Sequence, residues 1–279
     1  MSALPNLIVI GAAKTGTTSL HHYLHLHPDI FMAKEKELHF FSSERVWQRG
    51  AGWYAAQFDG NVAVRGESSV TYTAYPFRSG VVERMFGVIP EARLIYLVRD
   101  PIERLVSAWV HRTSKRREHR PLAEVIEELE GNDLVERSRY YYQLEQYLAY
   151  YPSQSILVLC AEELRTKRRE TMAEVYRFLG VDPTFDSHRL DEIRHESHMK
   201  RRQGRFAAWL GRMAETPPAR ILSPRTRRRI GYLVYRPLSR PLERPVLDAR
   251  DRERLAAYFA SDVARLREHT GRPFDAWSL

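Results

Sequence analysis

The apolar run Leu7-Ile8-Val9-Ile10 passes directly into Gly11-Ala12-Ala13-Lys14-Thr15-Gly16-Thr17-Thr18-Ser19 and then into a helix-like segment, Leu20 to His27. A short strand, a glycine-punctuated loop and a helix in this order form a cradle that holds phosphate on backbone N–H groups at a helix start. The order leaves the fold little freedom, because such a cradle sits at the carboxyl end of a strand in a parallel α/β sheet. The spacing Gly11-x4-Gly16 is that of a P-loop, yet Thr17 stands where a lysine should follow the second glycine, and the only lysine, Lys14, lies within the loop. Kinases and ATPases need that lysine on the β/γ-phosphates. A cradle whose cation has moved suits a nucleotide with a different tail.

The rest of the chain alternates as a parallel sheet requires. Strand-like runs are Leu7 to Ile10, Val62 to Gly66, Arg93 to Val98 and Ser155 to Leu159. The clearest helix runs from Pro101 to about Ser114, with Ile102, Leu105, Val106, Trp109 and Val110 spaced along one face. Asp100 as N-cap, Pro101 at the first position and Glu103 at the third write out its start. Further helices are expected at Leu122 to Glu130, Tyr140 to Tyr150 and Thr166 to Leu179, the last stopped by Gly180, and at Asp248 to His269, ending at Gly271. Residues 215 to 247, rich in Pro and Arg, read as an irregular excursion. Helices of this length between strands imply right-handed crossovers in one parallel sheet. The reading is one domain over residues 1 to 279.

Bulk properties narrow the class. At 279 residues the chain has ample core for one large α/β domain. No apolar run reaches the roughly 18 residues of a membrane span. The start lacks the basic and apolar stretches of a signal peptide, and the lone Cys160, set in an apolar run, reads as buried and inert. A cytoplasmic, reducing setting is the expectation. The net charge of +9 is concentrated: residues 194 to 254 hold 17 Lys/Arg against 6 Asp/Glu. A solvated helix face, a collar for an anionic ligand, and a patch for nucleic acid or an anionic membrane all fit such a stretch. Few aromatics are interleaved with its arginines, which argues against single-strand stacking, so no nucleic-acid partner is expected.

A second strand end also carries chemistry. In Leu94-Ile95-Tyr96-Leu97-Val98-Arg99-Asp100-Pro101, Arg99 sits where the strand gives way to the capped helix, and Ser107 lies two turns further on. Together they could seat a second phosphate. Alone, they equally describe an arginine paired with a carboxylate and a serine bonding its own helix.

Four stretches together resemble the sulfotransferases that use 3′-phosphoadenosine 5′-phosphosulfate (PAPS), in particular the branch of heparan-sulfate and other carbohydrate O-sulfotransferases. Gly11 to Leu20 resembles the 5′-phosphosulfate loop. Leu26-His27-Pro28-Asp29 with Lys36-Glu37-Leu38-His39-Phe40-Phe41 resembles the catalytic turn. Arg99 to Trp109 resembles the 3′-phosphate motif, and Leu255 to Trp277 the closing helix and tail. The resemblance implies a P-loop-like three-layer α/β fold. It also implies a metal-independent transfer of the sulfuryl group to an acceptor hydroxyl, on a carbohydrate or glycolipid, leaving adenosine 3′,5′-bisphosphate (PAP).

The implied roles follow the motifs. Backbone N–H groups of Thr15, Gly16, Thr17 and Thr18, with the threonine hydroxyls, would hold the 5′-phosphate. Lys14 would stabilise charge on the bridging oxygen as the S–O bond breaks. Arg99 and Ser107 would grip the 3′-phosphate, with Lys200 and Arg201 folding over it. Glu37 is implied as the base; aromatic neighbours in Leu38-His39-Phe40-Phe41 would desolvate it and raise its pKa. In an extended segment His39 projects to the side of Glu37 and could orient it, or act as base itself. Lys34-Glu35-Lys36-Glu37 also reads, without the resemblance, as a solvated charge run.

Departures from the heparan-sulfate pattern bear on the acceptor. Ser42 replaces an acidic residue found in some relatives, and Ser68 a lysine that some place directly after the glutamate of Gly66-Glu67. Both put a highly anionic acceptor in doubt. Glu67, Ser69, Arg139 and Tyr140 are the acceptor-side candidates, Glu67 and Ser69 with a structural role as the alternative. The pairs His21/His25 and His195/His198 have no obvious third ligand, so no metal is expected, and His21, His22, His25 and His27 read as decorating the first helix. A P-loop kinase or NTPase and a non-catalytic anion-binding protein remain the competing classes. The acceptor and the oligomeric state are not legible in the sequence.

Overall fold

The computed structural model describes residues 3–58, 61–191, 201–203, 239–241 and 244–279. Five strands form one parallel sheet: β1 (Leu7–Gly11), β2 (Ile30–Met32), β3 (Val64–Ser68), β4 (Arg93–Val98) and β5 (Ile156–Cys160), in the order β2-β3-β1-β4-β5. Between and after them lie α1 (Thr17–Leu26), α2 (Glu44–Trp47), α3 (Gly50–Ala55), α4 (Val81–Val88), α5 (Pro101–Ser114), α6 (Leu122–Glu127), α7 (Asp133–Glu136), α8 (Tyr140–Leu148), α9 (Ala161–Thr166), α10 (Arg168–Leu179) and α11 (Ala249–Thr270).

Alternation along the strands builds three layers, since successive side chains leave a sheet on opposite faces. Ile8, Ile10, Leu94, Tyr96 and Val98 point to one side, where Ile102 and Leu105 of α5, Tyr140 and Tyr147 of α8, and Leu255 and Phe259 of α11 cover them. Leu7, Val9, Ile95 and Leu97 point to the other, against Leu20, Tyr23 and Leu24 of α1 and Met172, Val175 and Tyr176 of α10. Because both faces are covered, β1 is buried throughout and reads as a continuous apolar run.

The strand order places the site. The chain leaves β1 for β2 and β3 on one side, then crosses to β4 and β5 on the other. Parallel sheets bind ligands outside the carboxyl ends of their strands where the direction of winding reverses. Here those ends are the loop after Gly11, the segment after Ser68 and Arg99. The loop is tied to β4 directly, because Ala12 N–H donates to Leu97 O at 2.8 Å.

The capped helix stands as written: Asp100 Oδ1 accepts from Glu103 N–H at 2.9 Å and α5 spans Pro101–Ser114. Other boundaries move. α1 begins at Thr17 rather than Leu20, because Gly16 (φ 104°) turns the loop straight into it. β3 begins and ends two residues later than expected, since Glu67 and Ser68 are polar yet fully buried. The helix expected at Thr166 to Leu179 is α10, which starts at Arg168, and Lys167 (φ −124°, ψ 47°) separates it from a preceding short helix, α9, that was not expected. β2, three residues long, was too short to show a period. Within the stretch expected to be irregular, Ser239–Pro241 pairs antiparallel with Arg201–Gln203, forming β7 and β6. Most of the basic segment lies outside the described residues.

Gly11 is required by close approach rather than by its backbone angle. A Cβ there would come within 2.1 Å of Thr73 Oγ1. Gly11→Ala is expected to cost about 1–3 kcal/mol by overpacking, read as a lower denaturation midpoint, and a Thr73→Ala background should recover part of the loss.

Candidate active site

The loop is shaped by two left-handed residues, Lys14 (φ 76°) and Gly16 (φ 104°), the first a strained choice for a side chain with a Cβ. Thr15 Oγ1 donates to Ala12 O at 2.8 Å and closes the loop on itself, so this hydroxyl serves the loop's shape. No side chain caps the start of α1. Its first N–H groups and the positive end of its dipole therefore face the loop's concavity, the arrangement that receives an anion.

The segment after β2 brings a second set of groups to the loop. Ala33 N–H donates to Gly66 O, and Glu37 N–H donates to Ser68 O, which lays residues 33–37 along the end of β3. Lys36 Nζ lies 2.6 Å from Glu37 Oε1 and donates to Thr17 Oγ1 at 3.4 Å. Val70 N–H donates to Glu37 Oε2 at 3.0 Å. His39 Nδ1 stands 3.9 Å from Glu37 Oε2 and 2.8 Å from Thr71 Oγ1, whose hydroxyl also meets Ser42 Oγ at 2.7 Å.

Two expectations about this turn are corrected. The segment is not extended: Glu37 (φ 67°) and His39 (φ 56°) both adopt left-handed backbone, and that double turn brings the side chains together. Nor do aromatic rings surround the carboxylate. Phe40 and Phe41 pack inward against Trp47, Tyr54 and Tyr72, leaving Glu37 with an ammonium and a backbone N–H. For His39 burial lowers the pKa below its usual 6.5, against an opposing pull from Glu37. The neutral imidazole is thus favoured near pH 7, with Nδ1 engaged by Thr71.

Beneath the turn lies a buried polar network. Glu67 is wholly inaccessible; Oε1 accepts from Tyr54 OH at 2.7 Å and Tyr72 OH at 2.6 Å, and Oε2 accepts from Ser69 Oγ at 2.7 Å. Ser69 Oγ in turn accepts from His39 N–H at 3.1 Å. Glu67 and Ser69, both fully buried, thus fix the turn from below. Burial raises the Glu67 pKa, opposed by the three hydroxyl donors.

His21 on α1 joins the same wall, its Nδ1 2.9 Å from Ser68 Oγ. Burial pushes its pKa from 6.5 down to about 4. The unfolded chain therefore binds a proton that the folded chain refuses between those values, and stability falls as pH drops through that window. The loss attributable to this imidazole is about 2 kcal/mol at pH 5. His21→Asn should show a visibly smaller decrease in Tm between pH 7 and pH 5 than the parent. His27 also departs from the decorating role: it is buried, accepts from Asp29 N–H at 3.1 Å and lies 3.1 Å from Asp182 O.

At the end of β4 the Arg99 guanidinium approaches Glu103 at 3.5 Å and Glu162 at 3.9 Å, both loose contacts, with 26% of the side chain exposed. The tail holds this corner: Ser278 N–H and Oγ both donate to Asp100 Oδ2 at 2.7 Å, and Trp277 Nε1 donates to Glu162 Oε2 at 3.3 Å. Ser107 is buried on α5. Tyr140, expected to contact the acceptor, is fully buried, with its OH accepting from Arg99 N–H at 3.4 Å; it supports the arginine's backbone instead. Arg139 pairs with Glu136 at 2.9 Å and lines a cleft of about 350 Å³ with Pro76, Glu130, Tyr142 and Tyr258. Lys200 lies outside the described residues, and of Arg201 only its place in β6 is described. Lys36 and Thr71 had no assigned role in the sequence; the left-handed turn that aims them leaves no periodic trace. Cys160 is buried as expected, its thiol pushed up to about 12 by burial.

A phosphate cradle at the head of a parallel sheet, faced by a carboxylate, an ammonium and an imidazole, defines a P-loop-like group-transfer fold. Residues 4–216 match the sulfotransferase domain family. Over 205 residues the chain is 30% identical to the human bifunctional heparan sulfate N-deacetylase/N-sulfotransferase 2, covering 64% of this chain and 22% of that protein. Over 142 residues it is 37% identical to the membrane-associated sulfotransferase kil1 of Dictyostelium discoideum, covering 48% of this chain and 29% of that one. The crystal structure of a sulfotransferase from Alicyclobacillus acidocaldarius matches with a TM-score of 0.69 and 26% identity, covering 99% of this chain and 100% of that one. The chain spans between a fifth and a third of the length of these curated relatives. It belongs to the sulfotransferase domain family, and the relatives it matches include heparan sulfate N-sulfotransferases rather than the O-sulfotransferases of the expected branch.

Proposed function

We propose that this protein transfers the sulfuryl group of PAPS to a hydroxyl of a carbohydrate or glycolipid acceptor, with Glu37 as the base. One observation carries the reading: the Glu37 carboxylate is held by Val70 N–H and by Lys36, whose ammonium also donates to Thr17 of the anion cradle. A base that takes the acceptor's proton must lie next to the group being transferred. The uncapped start of α1 and the Thr17 and Thr18 hydroxyls would hold the 5′-phosphate, and Lys14 would stabilise the leaving oxygen. Arg99 and Ser107, with Lys200 and Arg201 over them, would hold the 3′-phosphate. His39, neutral and fixed by Thr71, would accept or donate a hydrogen bond that orients the acceptor oxygen.

The saccharide part of this reading is supported by the likeness to a heparan sulfate N-sulfotransferase. The same proposal takes the chain as one domain, on the support of α11 packing on α8, where Asp262 accepts from Tyr141 and Tyr142 N–H at 3.0 and 2.9 Å. It also takes a cytoplasmic setting, which the inert, lone thiol suits. The test is transfer of labelled sulfate from PAPS into fractionated acceptor pools, with a chelator present. Label in the saccharide or glycolipid pool supports the reading. Label confined to small phenols or to amines would overturn the acceptor assignment, and dependence on a divalent metal would overturn the metal-independent chemistry.

A further inference from the structure

Lys36 joins the two halves of the site. Neighbouring residues of an extended chain point to opposite faces, yet its ammonium lies 2.6 Å from the carboxylate of the very next residue. The left-handed backbone at Glu37 (φ 67°) makes this possible, and the same ammonium reaches Thr17 Oγ1 at 3.4 Å. Such backbone costs about 1–3 kcal/mol and persists where the surroundings enforce it. The pair is no solvated surface contact either: 21% of the Lys36 side chain and 27% of that of Glu37 are exposed. Lys34 in the same run is exposed. An ammonium has three N–H donors, and Glu37 and Thr17 account for two.

Resting on the donor reading above, we propose that Lys36 is a second catalytic cation, one that contacts the non-bridging oxygens of the sulfuryl group while it passes from donor to acceptor. In that step the bond between sulfur and the bridging oxygen breaks, its electron pair staying on the 5′-phosphate. The acceptor oxygen forms the new bond to sulfur and its proton goes to Glu37. Lys14, within the loop, serves the leaving oxygen. Lys36, between the start of α1 and the base, serves the group in flight and keeps the carboxylate aimed at the incoming hydroxyl. A fixed cation placed where charge spreads in the transition state is the most effective kind of electrostatic help.

The experiment compares PAP with PAPS, because PAP lacks only the sulfuryl group. In the Lys36→Met protein, PAPS affinity should fall about tenfold while PAP affinity stays within about twofold of the parent. Label transfer into the acceptor pool should fall by roughly 10²–10³. Lys36→Arg should recover part of that rate, and Lys34→Met, which removes the same charge two residues away, should match the parent in all three measurements. Equal losses for PAP and PAPS, or a Lys36→Met transfer rate within about threefold of the parent, would reduce Lys36 to a residue that holds the loop and overturn the proposal. A parent protein that binds neither ligand would instead bring down the donor reading itself, and the role of Lys36 with it.

Discussion

Glu37→Gln is expected to lower kcat by roughly 10²–10⁴ while leaving the affinity for PAPS nearly unchanged. The size follows from what the substitution removes. Glutamine keeps the shape of the side chain and one carbonyl for Lys36 or Val70 N–H, but it cannot take a proton from the acceptor. Its NH₂ also turns a donor toward whichever of those two donors it replaces an acceptor for, which loosens the aim. Donor affinity survives because Glu37 is tied to the cradle through Lys36, whose ammonium is the group that reaches Thr17 Oγ1. Full activity in this variant, with His39→Asn inactive, would move the base to the imidazole.

Arg99→Ala should weaken PAPS and PAP binding by about tenfold to a hundredfold, the worth of a charge-assisted pair, and leave an analogue without the 3′-phosphate almost untouched. The guanidinium has loose carboxylate contacts at 3.5 and 3.9 Å, so an incoming phosphate can outbid them. Its backbone is held independently by Tyr140 OH, and the helix start beside it by Asp100 and Ser278. The substitution thus removes charge without undoing the corner. Isothermal titration with the two ligands checks this, and equal weakening of both would contradict the 3′-phosphate assignment.

The sequence announced the parallel sheet, the cradle and the capped helix because each is written in local chemistry: apolar runs, two glycines at fixed spacing, and Asp100-Pro101-Glu103. Positions whose meaning depends on three-dimensional neighbours were less legible. Glu67 looks like any acidic residue near a site until Tyr54, Tyr72 and Ser69 close over it; Tyr54 comes from α3 and the other two from the segment that follows β3. Tyr140 begins a helix that reads as cleft-lining, yet it packs in the core against Tyr96 and Trp277. Lys36 was hidden in an alternating charge run that a solvated face would also produce. Only the left-handed turns at Glu37 and His39 distinguish the two, and non-glycine residues give no sequence sign of such backbone.

The most direct test of the central claim is titration calorimetry of the purified protein with PAPS and with PAP. One-to-one binding of both, weakened for the analogue without a 3′-phosphate, is the predicted result. No heat with either nucleotide, or equal binding of ATP, would contradict the account.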